Sequence, residues 1–265
     1  MKPMEFRGRW LLLTGASAGL GREMAKILAT EQGANLLVVA RRQDRLDSLQ
    51  AELAKSCSAQ VVTLRADLSR LEDTDRVLSQ VAQYPLYGAI LNAGVTHFGP
   101  HSELDWDAFR QMLDTNVTSV VRMTNALLPL LEQSSGGLLL VSSMAGIFPV
   151  PFQTAYSATK AFLVHFGCGL FHEYQGRSVS ITTYTPGGVV SEMTAGENFT
   201  TLRRWLMPTD LAARKGIAAL QQRRYLYAPG ASNRLASALF GFLPRRFTTA
   251  LVGNQYRRAL SAAKG

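Results

Sequence analysis

Short apolar runs alternate with longer helical segments along most of this chain, and this alternation constrains the fold more than any other feature. Runs such as 9–14, 35–40 and 137–142 are rich in Leu and Val and are bounded by glycine or polar residues. Continuous apolar runs of this length predict strands that are buried on both faces. Such strands, separated by helices, predict an α/β fold with a Rossmann-type, doubly wound parallel sheet and helices on both faces.

The pattern predicts six strands and the helices between them. The strands are expected at 9–14, 35–40, 60–65, 87–91, 137–142 and 179–185. Helices are expected at 22–32, 43–55, 70–83 and 105–132, with a further helix that carries Tyr156 and ends near residue 174. Since no linker interrupts the pattern, one domain is predicted over 1–265. Within it, about 8–195 would form the cofactor-binding and catalytic core, and about 190–265 a substrate lid with a basic C-terminal region.

The composition argues against several classes of protein. The two cysteines, Cys57 and Cys168, are too few for a disulfide framework, and the four histidines lack metal-ligand spacing, so no metal is predicted. The N-terminal residues lack the apolar core and cleavage site of a signal peptide, and no uncharged span is apolar enough for a transmembrane helix. The sequence therefore predicts a cytoplasmic protein with reduced cysteines.

A glycine-rich turn follows the first predicted strand. Gly15, Gly19 and Gly21 stand between that strand and the first helix. Glycines permit a tight turn and a close approach of the backbone to a pyrophosphate, which then lies at a helix N-terminus. The position of the turn favours dinucleotide binding, and its spacing differs from the Gly-x-Gly-x-x-Gly of ordinary two-domain dehydrogenases.

The second and third predicted strands end on charged residues that bear on the choice of cofactor. Arg41 and Arg42 follow the second strand, where folds that bind NAD usually place an acid. Arginine holds a phosphate through two parallel hydrogen bonds, so NADP(H) is predicted. The alternative is that Arg41-Arg42 is a solvated surface pair without a ligand, since the chain contains five Arg-Arg pairs. Asp67 follows the third strand and is expected either to bind the adenine amino group or to cap a helix.

Tyr156 and Lys160 are four residues apart on a predicted helix and therefore lie on one face of it. A phenol has a reference pKa of about 10, and a neighbouring ammonium lowers that pKa by favouring the phenolate. The pair would then transfer protons near neutral pH. Taken alone, the spacing is better explained by a half-buried Tyr and a solvated Lys, because Tyr-x-x-x-Lys occurs often by chance.

In this order and at this spacing, the motifs resemble those of the short-chain dehydrogenase/reductase family over about residues 8–195. The matching residues are Thr14-Gly15-Ala-Ser17-Ala-Gly19-Leu20-Gly21, Asp67-Leu68, Asn92-Ala93-Gly94, Asn116, Ser143, Tyr156-Ser-Ala-Thr-Lys160 and Pro186-Gly187-Gly-Val189-Val-Ser191. Two positions depart from the family pattern: Leu91 replaces the first Asn of Asn-Asn-Ala-Gly, and Ser191 stands where Thr is commoner. Leu91 is expected still to end its strand, and Ser191 keeps the hydroxyl.

The resemblance implies a catalytic set and a cofactor-binding set. Ser143 would bond the substrate oxygen, and Tyr156 would donate or accept its proton. Lys160 would lower the pKa of Tyr156 and bind the nicotinamide ribose, while Asn116 would hold a water in a proton relay to Lys160. Besides Tyr156 and Lys160, the implied cofactor contacts are Gly15, Ser17, Gly19, Leu20, Gly21, Arg41, Arg42, Asp67, Leu68, Asn92, Ala93, Gly94, Pro186, Gly187, Val189 and Ser191. Each catalytic role has a structural alternative. Asn116 would then be a mid-helix polar residue that bonds its own backbone, and Ser143 a turn residue at the end of a strand.

Two apolar segments flank the implied catalytic residues. Residues 148–152 precede Tyr156, and 193–207 include Phe199, Trp205, Leu206 and Met207. An apolar wall and lid favour a hydrophobic carbonyl substrate. The alternative is that these residues pack the edge of the core.

The basic character of the chain belongs to its C-terminal quarter. Residues 201–265 hold twelve Lys or Arg and one acid, and they include the apolar run 235–243. This composition fits a peripheral anchor on anionic lipid, a lid and dimer surface with solvated arginines, or attraction of an anionic acyl thioester on a phosphopantetheine carrier. No basic motif with interleaved aromatic residues supports nucleic-acid binding.

The sequence thus predicts an NADP(H)-dependent oxidoreductase that moves a hydride between nicotinamide and a hydrophobic ketone or secondary alcohol. Within the family, the 3-oxoacyl and hydroxysteroid reductases are the branch it resembles. The alternatives are a cofactor-binding sensor or scaffold with little turnover, and a sugar-nucleotide epimerase, which the glycine spacing disfavours. Family members commonly pair through the helices that carry Asn116 and Tyr156, which implies a homodimer or homotetramer.

Overall fold

Parallel strands follow one another across a single sheet of seven. In this computed structural model, which describes residues 1–196, 203, 206–231, 233–235 and 243–262, the sheet order is β3-β2-β1-β4-β5-β6-β7. The strands are β1 Trp10–Thr14, β2 Asn35–Ala40, β3 Val61–Arg65, β4 Leu86–Leu91, β5 Gly137–Val141, β6 Ser180–Tyr184 and β7 Leu226–Tyr227. The order reverses between β1 and β4, so a crevice opens at their carboxyl ends. This confirms the predicted Rossmann-type sheet.

Helices cover both faces of this sheet. Those with described bounds are α1 Gly19–Thr30, α2 Gln43–Ser56, α3 Leu71–Val81, α4 Trp106–Leu113, α5 Ser119–Gln133, α6 Thr154–Glu173, α7 Thr209–Gln221 and α8 Arg245–Ala262. Alternate residues of one strand serve opposite cores: Leu11 and Leu13 pack with α1, α2 and α7, whereas Leu12 packs with α3, α5 and α6. The apolar runs are continuous because both faces of the strands are buried.

Most predicted element bounds agree with the structure to within a few residues, and the exceptions lie near the crevice. Helix α1 begins at Gly19, within the glycine turn, rather than at residue 22. The single helix expected over 105–132 is divided into α4 and α5 by a π-helical turn, Asp114–Thr118. Strand β4 ends on Leu91, as expected for the residue that departs from the family motif.

Some sequence expectations concern segments outside the described residues. Phe199, Trp205 and most of the apolar run 235–243 are among them. No helix in the described ranges is both long enough and apolar enough to cross a bilayer. The same ranges contain no cluster of three His, Cys, Asp or Glu residues suited to a metal ion, and Cys57 and Cys168 are unbridged.

Candidate active site

The glycine turn after β1 is packed against the end of β4. Gly15 has a φ of +74°, and a β-carbon there would come within 2.8 Å of Nδ2 of Asn92 and 2.9 Å of the backbone of Ala93. A β-carbon at Gly21 would collide with the carbonyl oxygen of Gly15. Side chains are therefore excluded at Gly15 and Gly21, which lets the turn pack closely against the end of β4.

Hydrogen bonds from Asn92 and Ala93 hold this turn in place. Their two backbone N–H groups donate to Oγ1 of Thr14, each at 3.0 Å, and Nδ2 of Asn92 donates to the Thr14 carbonyl at 3.0 Å. Ala18, the residue before α1, offers no side-chain cap. No side chain therefore caps the backbone N–H groups of the first turn of α1. In dinucleotide folds, the N–H groups at this position bind the pyrophosphate. The predicted contacts Ser17 and Leu20 lie in the same turn.

Arg41 and Arg42 lie at the end of β2, on the same edge of the sheet. Both are exposed. Nη2 of Arg42 donates to Oε2 of Glu192 at 2.8 Å and to Oγ of Ser17 at 3.2 Å. Arg42 therefore connects β2 and the glycine turn to the segment after β6, and a 2′-phosphate would compete with Glu192 for it.

Asp67 and Leu68 follow β3. Oδ1 of Asp67 accepts hydrogen bonds from N and Oγ of Ser69, at 3.0 and 2.8 Å, and the N–H of Asp67 donates to Oδ2 of Asp73 at 2.7 Å. That last bond is the main cause of a lowered pKa at Asp73. One oxygen of Asp67 thus stabilises the turn before α3, but Asp67 does not cap that helix, whose N-cap residue is Arg70. The role of Asp67 at the adenine stays a prediction.

Ser143 follows β5 and shapes the chain that leads to α6. Its Oγ accepts a hydrogen bond from the N–H of Ala145 at 3.1 Å, in the turn expected from a strand-end serine. The neighbouring Ser142 donates to the carbonyl of Lys160 at 2.7 Å, which ties the end of β5 to α6. The Ser143 side chain also lowers the pKa of Tyr156, in the direction expected when a hydroxyl stabilises the phenolate.

The electrostatic environment of Tyr156 differs from the expected one. Burial raises the pKa of Tyr156 to about 12, the Ser143 side chain lowers it, and the neighbouring phenol of Tyr256 raises it further. Nζ of Lys160 donates to the carbonyl of Val141 at 2.9 Å and lies 5.8 Å from the centre of the Tyr156 ring. Desolvation therefore dominates the pKa of Tyr156, and the lowering of this pKa by Lys160 stays a prediction.

Lys160 is itself desolvated. Its side chain is only 4% exposed, and burial lowers its pKa to about 8. A β-carbon at Gly94 would lie 3.4 Å from Nζ of Lys160 and 3.3 Å from Oδ1 of Asn116, so both polar groups face Gly94.

Asn116 occupies the π-helical turn between α4 and α5 and is fully buried. Its Oδ1 accepts from the N–H of Val95 at 2.9 Å, and its Nδ2 donates to the carbonyl of Val95 and to Oγ1 of Thr159, at 2.9 and 3.0 Å. The amide thus joins the loop after β4 to α6 instead of bonding its own helix. The predicted water relay is untested, and the second lone pair of Oδ1 is the position at which a water would fit.

The segment after β6 lies against the opposite side of the glycine turn. The carbonyl of Pro186 accepts from the N–H of Met144 at 2.8 Å, and Val189 forms a parallel bridge with Met207. A β-carbon at Gly19 would lie 3.1 Å from Cβ of Ser191. A β-carbon at Gly187 would lie 2.9 Å from Asn233, so the segment that holds Pro186, Gly187, Val189 and Ser191 is covered by the chain after β7.

The structure also shows residues at this site that the sequence did not single out. Glu192 pairs with Arg42, and Gln153 is buried three residues before Tyr156, with its Nε2 donating to Oγ1 of Thr96 at 3.2 Å. Tyr256 packs in one apolar cluster with Tyr156. The only sequence signal for Tyr256 is that it stands four residues after Val252, itself four after Thr248.

The parallel sheet, the glycine turn at its switch point and a Ser-Tyr-Lys set beside it are the features of a dinucleotide-binding fold with a candidate proton-transfer site. The sequence model of the family described as short chain dehydrogenase matches residues 9–201. The chain therefore belongs to the short-chain dehydrogenase family.

Named relatives differ in the substrates they are named for. The chain is 32% identical over 192 residues to the very-long-chain 3-oxoacyl-CoA reductase-A of Danio rerio, covering 71% of this chain and 60% of that protein. It is 37% identical over 196 residues to 11-beta-hydroxysteroid dehydrogenase 1A of Arabidopsis thaliana, covering 72% and 55%. The matched region thus spans little more than half the length of these curated relatives.

Solved structures show the same fold over most of the chain. A 7beta-hydroxysteroid dehydrogenase, 20% identical, superposes with a TM-score of 0.83 over 95% of this chain and 99% of its own. A short-chain dehydrogenase from Sphingobium yanoikuyae in complex with NADPH, 26% identical, superposes with a TM-score of 0.79 over 88% and 94%. At these identities the first likeness concerns the fold alone.

Proposed function

We propose that this protein is an NADP(H)-dependent oxidoreductase that interconverts a hydrophobic ketone and its secondary alcohol. The observation that carries the proposal is the clustering of Ser143, Tyr156 and Lys160: Nζ of the buried Lys160 lies 5.8 Å from the centre of the Tyr156 ring, and Lys160 bonds Val141 and Ser142, just before Ser143. This set lies at the same sheet edge as the glycine turn. The turn fits a nicotinamide dinucleotide because Gly15 and Gly21 let it pack tightly and it leads into a helix N-terminus without a side-chain cap.

In this mechanism the nicotinamide, when bound, supplies or accepts the hydride. Ser143, oriented by the N–H of Ala145, donates a hydrogen bond to the carbonyl oxygen and stabilises the charge that develops there. Tyr156 donates the proton. With a pKa of about 12 the phenol is protonated at neutral pH, which favours the direction of carbonyl reduction. Asn116 and Lys160 restore the proton through a water.

The direct test is NADPH oxidation by the full-length protein over a panel of ketones and 3-oxoacyl thioesters. We expect turnover of at least one hydrophobic ketone and a loss of about 100-fold or more in kcat for Tyr156→Phe, since a positioned acid contributes 10²–10⁴-fold. Tyr84→Phe serves as the control: Tyr84 lies just before β4, at the opposite end of the strand from the site, and its ring packs at a tilt against Trp10 with centres 4.6 Å apart. NADPH binding without turnover would instead favour the sensor or scaffold alternative.

The preference for a hydrophobic substrate is supported by the surface around Tyr156. Phe148 and Val150 pack in one apolar cluster with Tyr156 and Val252 of α8. The names of the relatives, a 3-oxoacyl-CoA reductase and a hydroxysteroid dehydrogenase, agree with an apolar substrate. If polar polyols gave the higher kcat/KM, this preference would be wrong.

We also propose that the part from about residue 190 onwards acts as the lid and contacts an anionic membrane surface. Exposed Leu235, Leu243, Phe247 and Leu251 lie among exposed arginines in this region, and Phe247 is 60% exposed. Apolar side chains flanked by arginines are the composition of an interfacial anchor.

A homodimer or homotetramer is the proposed assembly. Trp106 on α4 is 65% exposed, and the exposed Phe162 on α6 stacks on Phe166 with ring centres 5.6 Å apart. Exposed aromatic residues on the helices beside Asn116 and Tyr156 are typical of an interface. Sedimentation of the full chain tests this, and a monomer at micromolar concentration would contradict it.

A further inference from the structure

Helix α8 lies beyond residues 9–201, the region that matches the family. It is amphipathic. Thr248, Val252 and Ala259 are buried and Tyr256 is half-buried, at a spacing that forms one stripe along the helix. The arginines of α8 are exposed, at 245–246 and 257–258. The buried stripe therefore faces the body of the protein and the arginines face solvent.

The buried stripe packs on the segment between Ser143 and Tyr156. A β-carbon at Gly253 would lie 2.9 Å from Cγ of Pro151, so the backbone of α8 closely approaches that segment. Val252 packs in one cluster with Ala145 and Val150, and Tyr156 and Tyr256 pack against this cluster. Helix α8 thus forms a wall of the cleft in which the substrate carbonyl must lie.

The Tyr256 side chain is held in a defined position in this wall. Its ring meets the ring of Phe98 edge to face, with centres 5.3 Å apart and planes at 79°. Burial raises the pKa of Tyr256 as it raises that of Tyr156, so both phenols are neutral at neutral pH and share one poorly hydrated environment. A neutral, half-buried phenol in a cleft is a hydrogen-bond donor that a ligand can reach.

We propose that Tyr256 is a specificity-determining residue that donates a hydrogen bond to a second carbonyl of the substrate, next to the one that Ser143 and Tyr156 engage. A 3-oxoacyl thioester fits this arrangement because its ketone and thioester oxygens are separated by only three carbons. The inference rests on the proposed oxidoreductase function and narrows its substrate class to β-dicarbonyl compounds.

The test compares two matched ligands on the full-length protein. One is the 3-oxooctanoyl thioester of N-acetylcysteamine, and the other is the thioether in which CH₂ replaces the thioester carbonyl. Dissociation constants are measured by calorimetry with NADP⁺ present, and kcat and KM are measured with NADPH. The proteins are wild type, Tyr256→Phe, Tyr156→Phe and the control Tyr84→Phe.

We expect Tyr256→Phe to weaken binding of the thioester by about tenfold and to raise its KM similarly, because one buried hydrogen bond is lost. Binding of the thioether and kcat should change less than about twofold, and Tyr84→Phe should match wild type. The Phe variant keeps the ring contact with Phe98, and an unchanged melting temperature confirms its packing.

The two proposals fail in different ways. If no ketone is reduced but the thioester binds with the Tyr256 dependence, the oxidoreductase function is wrong and the second-carbonyl contact stands. If Tyr156→Phe abolishes reduction while Tyr256→Phe affects both ligands equally or neither, the inference about Tyr256 is overturned. It is also overturned if wild type binds neither ligand.

Discussion

Lys160 is buried, and burial destabilises the charged form of its ammonium group. Its pKa falls from 10.5 to about 8 in the folded protein. Between these values the unfolded chain binds a proton that the folded protein does not, so stability rises with pH across this window. The raised pKa of Tyr156 acts in the opposite direction, and only above about pH 10.

The first prediction follows from that linkage. From pH 8 to pH 10, the free energy of unfolding of wild type should rise by about 2 kcal/mol relative to Lys160→Met, at ~1.4 kcal/mol per pKa unit. Urea denaturation at pH 7, 8, 9 and 10 measures it. Below pH 8 the difference should be constant. If the free energies of unfolding of wild type and Lys160→Met changed in parallel across the whole pH range, the pKa of Lys160 would not be lowered in the folded protein.

Arg42 carries a contact that competes with its predicted partner. Its guanidinium pairs with Glu192, whereas Arg41 has no such pairing in the part of the chain that the structure describes. The preference for NADP(H) over NAD(H) therefore depends on Arg41, on Arg42 and on Glu192, which pairs with Arg42.

The second prediction separates these residues. Arg41→Ala and Arg42→Ala should each raise KM for NADPH by about tenfold and leave KM for NADH nearly unchanged, because each removes a charged bond to the 2′-phosphate. Glu192→Gln should lower KM for NADPH by releasing Arg42. Equal effects on NADPH and NADH would show that neither arginine recognises the phosphate.

At the scale of elements, the glycine turn between β1 and α1 combines two constraints. Gly15 has a positive φ and also lacks room for a β-carbon. Gly8 has a φ of +69° but would meet nothing within 4 Å. Substitution of Gly8 therefore measures backbone strain alone, whereas substitution of Gly15 measures backbone strain together with a steric collision.

The third prediction uses this pair. Gly8→Ala should cost about 1 kcal/mol in the free energy of unfolding, the strain of a left-handed residue. Gly15→Ala should cost about 2 kcal/mol or more and should weaken NADPH binding by at least tenfold, because the turn must move off Asn92. Calorimetry with NADPH and urea denaturation give both values. Similar costs at the two sites would contradict the packing described for the turn.

The charge of the whole molecule is divided between its ends. Residues 201–265 carry twelve of the 28 basic residues but one of the 19 acids. Electrostatic attraction of this region to anionic lipid is screened by salt, whereas apolar insertion is not.

The fourth prediction tests the membrane contact. The intact protein should float with vesicles of phosphatidylcholine and phosphatidylserine, and flotation should fall about tenfold for Phe247→Ser with Leu251→Ser. Their side chains are exposed, so folding should be unaffected. Leu71→Ser, at an exposed residue of α3 outside the region proposed to contact the membrane, is the control. Recovery of wild type in the soluble fraction at low salt would remove the proposal.

The sequence by itself determined six of the seven strands, the glycine turn and the order of the motifs, whereas the two-residue strand β7 was not predicted. Those features are local: an apolar run predicts a buried strand, and the parallel fold then brings the strand ends to one edge. Ser143, Tyr156 and Lys160 could be identified together for that reason, since their spacing within one strand–loop–helix unit already places them near each other.

Only the tertiary structure decided the contacts between distant segments. Glu192 meets Arg42 across 150 residues, Tyr256 packs beside Tyr156 across 100, and the pKa of Tyr156 rises where a local argument predicted a fall. Burial is a sum over all neighbours in space, and no spacing along the chain encodes it. Tyr156 and Lys160 could thus be identified from the sequence. Their pKa values, and the packing of α8 beside Tyr156, depend on the tertiary structure.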